Sequence, residues 1–137
     1  MRIVLDTNAL LISIPTRSPY RVVFDSILNG DITLLISNDI ISEYMEVLER
    51  KTNYMVASNI TELLLNLKNV IKIEPYFNWF LIDNDPDDNK FVDCAIAGNA
   101  MFLVSNDKHF QVLNKVDFPK VELIEIKSFL EKLNDGR

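Results

Sequence analysis

Short runs of apolar, β-branched residues alternate along this chain with segments of helical periodicity, and this alternation constrains the fold most strongly. Strands are predicted at residues 2 to 5, 32 to 36, 70 to 74, 102 to 105 and 121 to 126. Helices are predicted at residues 20 to 28, 40 to 50, 58 to 67, 89 to 100 and from about residue 127. The second strand has almost no polar face, as expected where a sheet is covered on both sides. The pattern therefore predicts an α/β fold with helices on both faces of a parallel sheet.

The length and composition predict one ordinary globular domain spanning residues 1–137. No repeat, low-complexity tract or linker divides the 137 residues, and 48% of them are hydrophobic. No apolar run is long enough for a membrane span, and Asp6 falls where a signal peptide would need an apolar core. Cys94, the single cysteine, permits no intrachain disulfide. We therefore expect a cytoplasmic protein without a membrane segment.

The formal net charge of −6 narrows the functional classes. It argues against a simple nucleic-acid-binding module, which usually shows a basic footprint. It does not argue against a metal-dependent nuclease, because bound cations neutralise several of the acids in such an enzyme.

Three carboxylates interrupt otherwise apolar segments. Asp6 is the only charged residue between Ile3 and Pro15, at the end of the first strand. Asp93 lies in a helix that is apolar nearly all round, and Asp107 follows directly on the fourth strand. Buried carboxylates are costly unless they are paired, hydrogen-bonded or bound to metal. Hard divalent cations prefer such oxygen ligands, and ligands bind at the carboxyl ends of strands in open α/β sheets.

Each acid also has a simpler interpretation. Asp6 and Asp107 have the residue type and position of helix caps or Asx-turns. Glu43 lies off the apolar stripe of its helix, as do Glu46 and Glu49, so periodicity alone predicts that all three are solvated. The residues by themselves do not select Glu43.

Four segments together resemble the motifs of PIN domains, most nearly the subgroup of toxins from toxin–antitoxin systems. The resemblance runs in order over nearly the whole chain, from about residue 2 to residue 127. It is carried by Val4-Leu5-Asp6-Thr7-Asn8, by Ser37 with Glu43-Tyr44, by Asp85-Pro86-Asp87-Asp88-Asn89-Lys90-Phe91 with Asp93-Cys94-Ala95, and by Val104-Ser105-Asn106-Asp107.

This resemblance implies a Rossmann-like three-layer α/β/α sandwich and an endoribonuclease that uses Mg²⁺ or Mn²⁺. It assigns catalytic and metal-binding roles to Asp6, Glu43, Asp93 and Asp107. Asp88 is implied as a further metal ligand or a helix cap. The supporting polar groups are Thr7, Asn8 and Ser105. RNA as substrate, an antitoxin protein as partner and a homodimer are likewise implied by the resemblance.

Several alternatives remain at this stage. A nuclease-shaped domain that binds RNA or protein without cleaving is one, and a structure-specific DNA nuclease is another. The aromatic segment from residue 77 to residue 82 suits either core packing or an interface. Basic residues that flank the site segments are candidate phosphate contacts, although each alone is more typical of a solvated surface: Arg17, Arg21, Arg50, Lys51, Lys90, Lys108 and His109.

Overall fold

A computed structural model describes residues 1–136, and the strands within that range form one parallel sheet. The strand order is β3-β2-β1-β4-β5. The strands are β1 Arg2–Leu5, β2 Thr33–Ile36, β3 Val70–Lys72, β4 Phe102–Val104 and β5 Leu123–Ile124. Their parallel pairing confirms the sheet that the alternating pattern predicted.

Helices cover both faces of this sheet. Ile3, Val4 and Leu5 of β1 are all fully buried, although successive residues of a strand point to opposite faces. Helix α2 packs against α6, and α3 packs against both α4 and α5. The α-helices are α1 Thr7–Ser13, α2 Arg21–Leu28, α3 Asn38–Lys51, α4 Tyr54–Asn66, α5 Asn89–Ala97 and α6 Ile126–Asp135. The three-layer α/β/α fold is therefore confirmed.

The boundaries differ from the sequence-based expectation in a few places. Helix α1 was not predicted, because Asp6 and the two residues after it also suit a turn. Helix α4 begins four residues before the predicted start, since the Asn53 side chain caps it by accepting the Val56 N–H at 2.9 Å. Strands β3 and β5 are shorter than predicted.

The sheet places its reversal of strand order at β1. This strand pairs with β2 on one side and with β4 on the other. The chain leaves β1 at Asp6 and leaves β4 at Ser105, and the Asp6 N–H donates to the Val104 carbonyl oxygen at 3.1 Å. Such a switch point opens a crevice beyond the strand ends, where α/β proteins bind ligands.

None of the helices in residues 1–136 is both long enough and apolar enough to cross a membrane.

Candidate metal-dependent active site

Asp6 lies at the centre of the crevice and is only 6% exposed. Its Oδ1 accepts the Ala9 N–H at 2.7 Å and so caps α1. Its Oδ2 accepts a hydrogen bond from the Ser105 hydroxyl. The residue thus caps a helix and also lies at the strand end where a ligand would bind, so the two interpretations of Asp6 are compatible.

Burial raises the pKa of Asp6, and hydrogen bonds from Ser105 and Ala9 only partly oppose that effect. The negative charges of Asp107 and Glu43 raise the pKa further. These effects show that three acids from separate parts of the sequence share one electrostatic environment. A bound cation would relieve both the burial cost and the repulsion.

Glu43 is turned towards this environment by two contacts from β1 and α1. The Tyr44 hydroxyl is fully buried and donates to the Leu5 carbonyl oxygen at 2.6 Å, which ties α3 to the end of β1. The Thr7 hydroxyl donates to Glu43 Oε2. The Glu43 side chain is only 19% exposed, although helical periodicity predicted a solvated position.

Lys90 on α5 supplies a positive charge beside Glu43. Its Nζ lies 2.8 Å from Glu43 Oε1 and 3.0 Å from Asp87 Oδ1. Burial lowers the pKa of Lys90, but hydrogen bonds to the two carboxylates outweigh burial and raise the pKa overall. The Lys90 side chain therefore stays charged although it is only 15% exposed.

Asp93 lies on α5 and is 5% exposed. Its Oδ1 accepts the Trp79 N–H at 3.1 Å, and burial raises the pKa of its carboxyl group against that hydrogen bond. With Glu43 and Lys90 it lines a cleft of about 580 Å³. Asp6 and Asp107 line a smaller cavity of about 180 Å³. Glu43 and Asp93 therefore line one cavity, and Asp6 and Asp107 line the other. The charge of Glu43 nevertheless acts on Asp6, whose pKa it raises.

Asp107 is 34% exposed and caps the 3₁₀ helix Lys108–Lys115 by accepting the His109 N–H at 2.9 Å. Ser105 accepts the Asp107 N–H at 3.0 Å. The same serine hydroxyl therefore contacts both Asp6 and the backbone of Asp107, and it fixes the two acids on adjoining strand ends.

Asp88 lies at the N-cap position of α5, but its side chain makes no capping hydrogen bond. In residues 1–136, one group of metal-ligating side chains has its ligand atoms within 4.8 Å of one another, and it consists of Asp85, Asp88 and His109. Asp88 Oδ2 and His109 Nδ1 are buried atoms 3.6 Å apart, and neither has a hydrogen-bond partner in this range. Burial and the charges of Asp85 and Asp107 raise the pKa of Asp88 to about 6, and His109 opposes them.

These features fit a hard divalent cation. The donors are mainly carboxylate oxygens, the ligand type that Mg²⁺ and Mn²⁺ prefer. The unpartnered oxygen of Asp88 and the raised pKa of Asp6 are both costs that a cation would offset. His109 adds one nitrogen donor beside Asp85 and Asp88.

Sequence reasoning missed part of this arrangement. It treated His109 and Lys90 as surface or phosphate-contacting residues, and it gave Asp85 no separate role. The spacing of Asp85 and Asp88, three residues apart around Pro86, was the one signal that placed them near each other. Asn8 is exposed on α1, where it lines the smaller cavity with Asp6.

Comparison with protein families decides the relationship. The family model of the PIN domain matches residues 2–109, which is most of the chain. The chain belongs to the PIN domain family. The resemblance seen in the sequence motifs is therefore confirmed. No curated protein matches the sequence.

Solved structures similar to this PIN domain agree on the fold. VapBC-1 from nontypeable Haemophilus influenzae is 19% identical, with a TM-score of 0.64 over 93% of this chain and 99% of the other. VapBC2 from Rickettsia felis, bound to a promoter DNA fragment, is 17% identical, with a TM-score of 0.63 over 91% and 98%. DNA-bound VapBC from Salmonella typhimurium is 14% identical, with a TM-score of 0.57 over 92% and 98%. At these identities the likeness shows the shared fold.

Proposed function

We propose that this PIN domain is a divalent-metal-dependent endoribonuclease and the toxin of a toxin–antitoxin pair. The observation that carries the proposal is that Asp6, Glu43 and Asp107 converge on the switch point of the sheet. The Ser105 hydroxyl contacts both Asp6 and the Asp107 backbone, and Thr7, the residue after Asp6, donates to Glu43. An ordinary fold has no use for three mutually repelling carboxylates at a ligand-binding crevice. A cation held by these carboxylates would offset their repulsion and could bind phosphodiester oxygens.

Asp6, Glu43, Asp93 and Asp107 would hold Mg²⁺ or Mn²⁺, with Asp88 as a further ligand. When bound there, such a cation would supply positive charge beside the phosphodiester and would lower the pKa of a nearby water.

The chain's own polar groups prepare these ligands. Ser105 and the Ala9 N–H orient the two oxygens of Asp6, and the Thr7 hydroxyl orients Glu43. Such hydrogen bonds around metal-binding carboxylates fix their orientation before the ligand arrives. The ammonium group of Lys90 lies beside Glu43 and is the nearest cationic donor for a phosphate oxygen entering the larger cleft.

The toxin role is proposed from the solved structures that this chain resembles. The three similar structures are of VapBC toxin–antitoxin complexes, two of them bound to DNA. An antitoxin protein is accordingly the proposed partner of this chain, RNA the proposed substrate, and a homodimer in the cytoplasm the proposed working state. Coexpression with a protein encoded beside the gene, followed by copurification, tests the partnership.

The nuclease proposal is tested with a fluorescent single-stranded RNA incubated with Mn²⁺ or Mg²⁺, and separately with EDTA. We expect cleavage only with the divalent cation and a loss of at least about a hundredfold in the Asp6→Asn variant. Asp31→Asn is the matched control, because Asp31 is exposed and precedes the amino end of β2, whereas Asp6 follows the carboxyl end of β1. Its activity should equal that of the unaltered protein.

Two results would contradict the proposal. One is cleavage that persists equally in EDTA and in Asp6→Asn, which would point to a contaminant. The other is no cleavage of several RNAs together with no calorimetric binding of Mn²⁺. The second result would favour a catalytically silent PIN module that binds RNA or protein.

A further inference from the structure

Aromatic side chains are exposed beside the larger cleft. Phe77, Phe80 and Phe118 are 69%, 71% and 84% exposed, and Trp79 packs against the rings of Phe77 and Phe118. These four residues are called the aromatic ridge below. Core packing, one of the two interpretations that the sequence left open, does not account for rings that remain mostly in water.

Three of the four rings of the ridge contact one another. Phe77 and Trp79 are stacked, with ring centroids 5.4 Å apart and planes inclined at 28°. Phe118, from the segment before β5, meets Trp79 edge to face at 6.3 Å. Stacked and edge-to-face pairs of this kind hold rings in fixed orientations and leave their outer faces free for a ligand.

Phe80 has an unusual backbone conformation for an exposed aromatic residue. Its φ is +53°, in the left-handed region that favours glycine. The Phe80 ring is nevertheless largely exposed, and residues in sparsely populated backbone conformations concentrate at active sites and ligand sites.

The ridge is joined directly to the candidate active site. Phe80 lines the same cleft as Glu43 and Asp93. The backbone N–H of Trp79 donates to Asp93 Oδ1 at 3.1 Å, so the segment that carries the rings also orients one of the carboxylates. A ligand lying on the ridge would extend into the cleft that holds the proposed cation ligands.

We infer that the aromatic ridge binds unpaired nucleobases of a single-stranded RNA by stacking, next to the phosphate that is cleaved. This inference rests on the proposed function and specifies its substrate class. Aromatic side chains bind successive unpaired bases whatever their sequence, because every base has a π-face. Among the described residues that line the larger cleft, Lys90 is the one cation, and it is already paired with Glu43 and Asp87. Stacking should therefore contribute a large share of the RNA affinity there.

Trp79 is the only tryptophan of the chain, and its fluorescence reports on the ridge directly. The titration uses the unaltered protein in EDTA, where no metal-dependent cleavage occurs, with a single-stranded RNA, the same RNA with abasic sites, and its duplex. We expect quenching and binding by the single strand, and at least about fivefold weaker binding of the abasic and duplex RNAs. We also expect a shallow dependence of affinity on salt.

Two ridge variants, Phe80→Leu and Phe77→Leu, keep an apolar side chain but remove the flat ring. Each should weaken binding of labelled single-stranded RNA about five- to twentyfold, as measured by anisotropy. Tyr54→Leu is the control, because Tyr54 is 65% exposed on α4 and does not line the cleft. Its affinity should be unchanged, and thermal unfolding of each variant verifies that it is folded.

Equal binding of intact and abasic RNA by the unaltered protein would overturn the inference, and that comparison needs no variant. Unchanged RNA affinity in folded ridge variants would overturn it as well. If those variants instead change the mass measured by light scattering while RNA affinity is unchanged, the inference is overturned and the ridge is an interface between copies of this chain. If the ridge binds unpaired bases but the protein does not cleave RNA in Mn²⁺, the nuclease proposal alone is refuted. If the protein cleaves RNA and the ridge variants cleave it equally well, this inference alone is refuted.

Discussion

Lys90 Nζ lies 2.8 Å from Glu43 Oε1, so an ammonium group sits on one of the acids proposed to bind a cation. The pair bridges α5 and α3 and is mostly shielded from solvent. A divalent cation that approaches Glu43 must therefore share the carboxylate with Lys90 or displace it. Lys90 should weaken cation binding while it stabilises the fold without the cation.

Lys90→Met is expected to separate these two effects. Loss of the ammonium group leaves the largely covered Glu43 carboxylate without its cationic partner, so the free energy of unfolding in EDTA should fall by about 1–2 kcal/mol. The affinity for Mn²⁺, measured by calorimetry, should rise severalfold because the competing charge is gone. Lys120→Met, at an exposed position, serves as the control and should change neither quantity. Weaker Mn²⁺ binding in Lys90→Met would show that Glu43 is not a cation ligand.

Asp88 should make stability in EDTA depend on pH. Its folded pKa of about 6 exceeds the ordinary aspartate value of 3.8, because of burial and the charges of Asp85 and Asp107. The folded state therefore holds the proton more tightly than the unfolded state does, and ionisation costs stability. This group's contribution is most favourable below about pH 4 and is lost as the pH rises towards 6 and above.

The Asp88→Asn variant isolates that contribution. At pH 7 in EDTA we expect the variant to be more stable than the unaltered protein by about 1 kcal/mol, after allowance for solvent screening. At about pH 3 the two proteins should be nearly equal, because Asp88 is then mostly protonated in both the folded and the unfolded state. Urea unfolding at the two pH values measures the difference. A variant that is less stable at pH 7 would contradict the raised pKa.

Tyr44→Phe should loosen the connection between α3 and the end of β1. It removes the hydroxyl that donates to the Leu5 carbonyl oxygen and leaves that buried acceptor without this partner. We expect the free energy of unfolding to fall by about 1–2 kcal/mol. Tyr54→Phe, at an exposed position, should be neutral. Equal stability of both variants in urea would show that this hydrogen bond contributes nothing net.

The sheet could be predicted from the sequence because its strands are short apolar runs that turn or helix-cap residues bring to an end. The β1 run ends at Asp6, and β2 ends at Ser37, which caps α3 through the Ile40 N–H at 3.2 Å. Both signals are local, so periodicity and capping rules suffice. Helix α1 was not predicted because its cap residues suit a turn equally well.

The surroundings of Glu43 could not be predicted from periodicity. Its helix places it off the buried stripe, and only tertiary contacts with Thr7 and Lys90, distant in sequence, cover its side chain. The resemblance to PIN domains selected Glu43 where the pattern alone did not. The grouping of Asp85 with His109 could not be predicted for the same reason, because the two residues are distant in sequence and meet only in the folded chain.

Asn106 lies between β4 and Asp107, and its side chain contacts the last helix of the fold. Its Oδ1 accepts the Ile126 N–H at 3.1 Å, at the first residue of α6, where Glu125 in the N-cap position provides no side-chain cap. Asn106 thus acts as a cap from a distant part of the sequence. It links the loop that carries Asp107 to the start of the last helix.

Asn106→Ala should therefore free the start of α6. Loss of a cap costs about 0.5–2 kcal/mol, and the exchange of the Ile126 amide hydrogen should accelerate at least severalfold. Asn114→Ala removes an exposed side-chain contact with Gln111 and is the matched control, with unchanged exchange at Ile126. Because the same loop ends at Asp107, the Asn106 variant should also weaken Mn²⁺ binding slightly. Unchanged exchange at Ile126 would mean that α6 is held by its buried face alone, through Phe129 and Leu133.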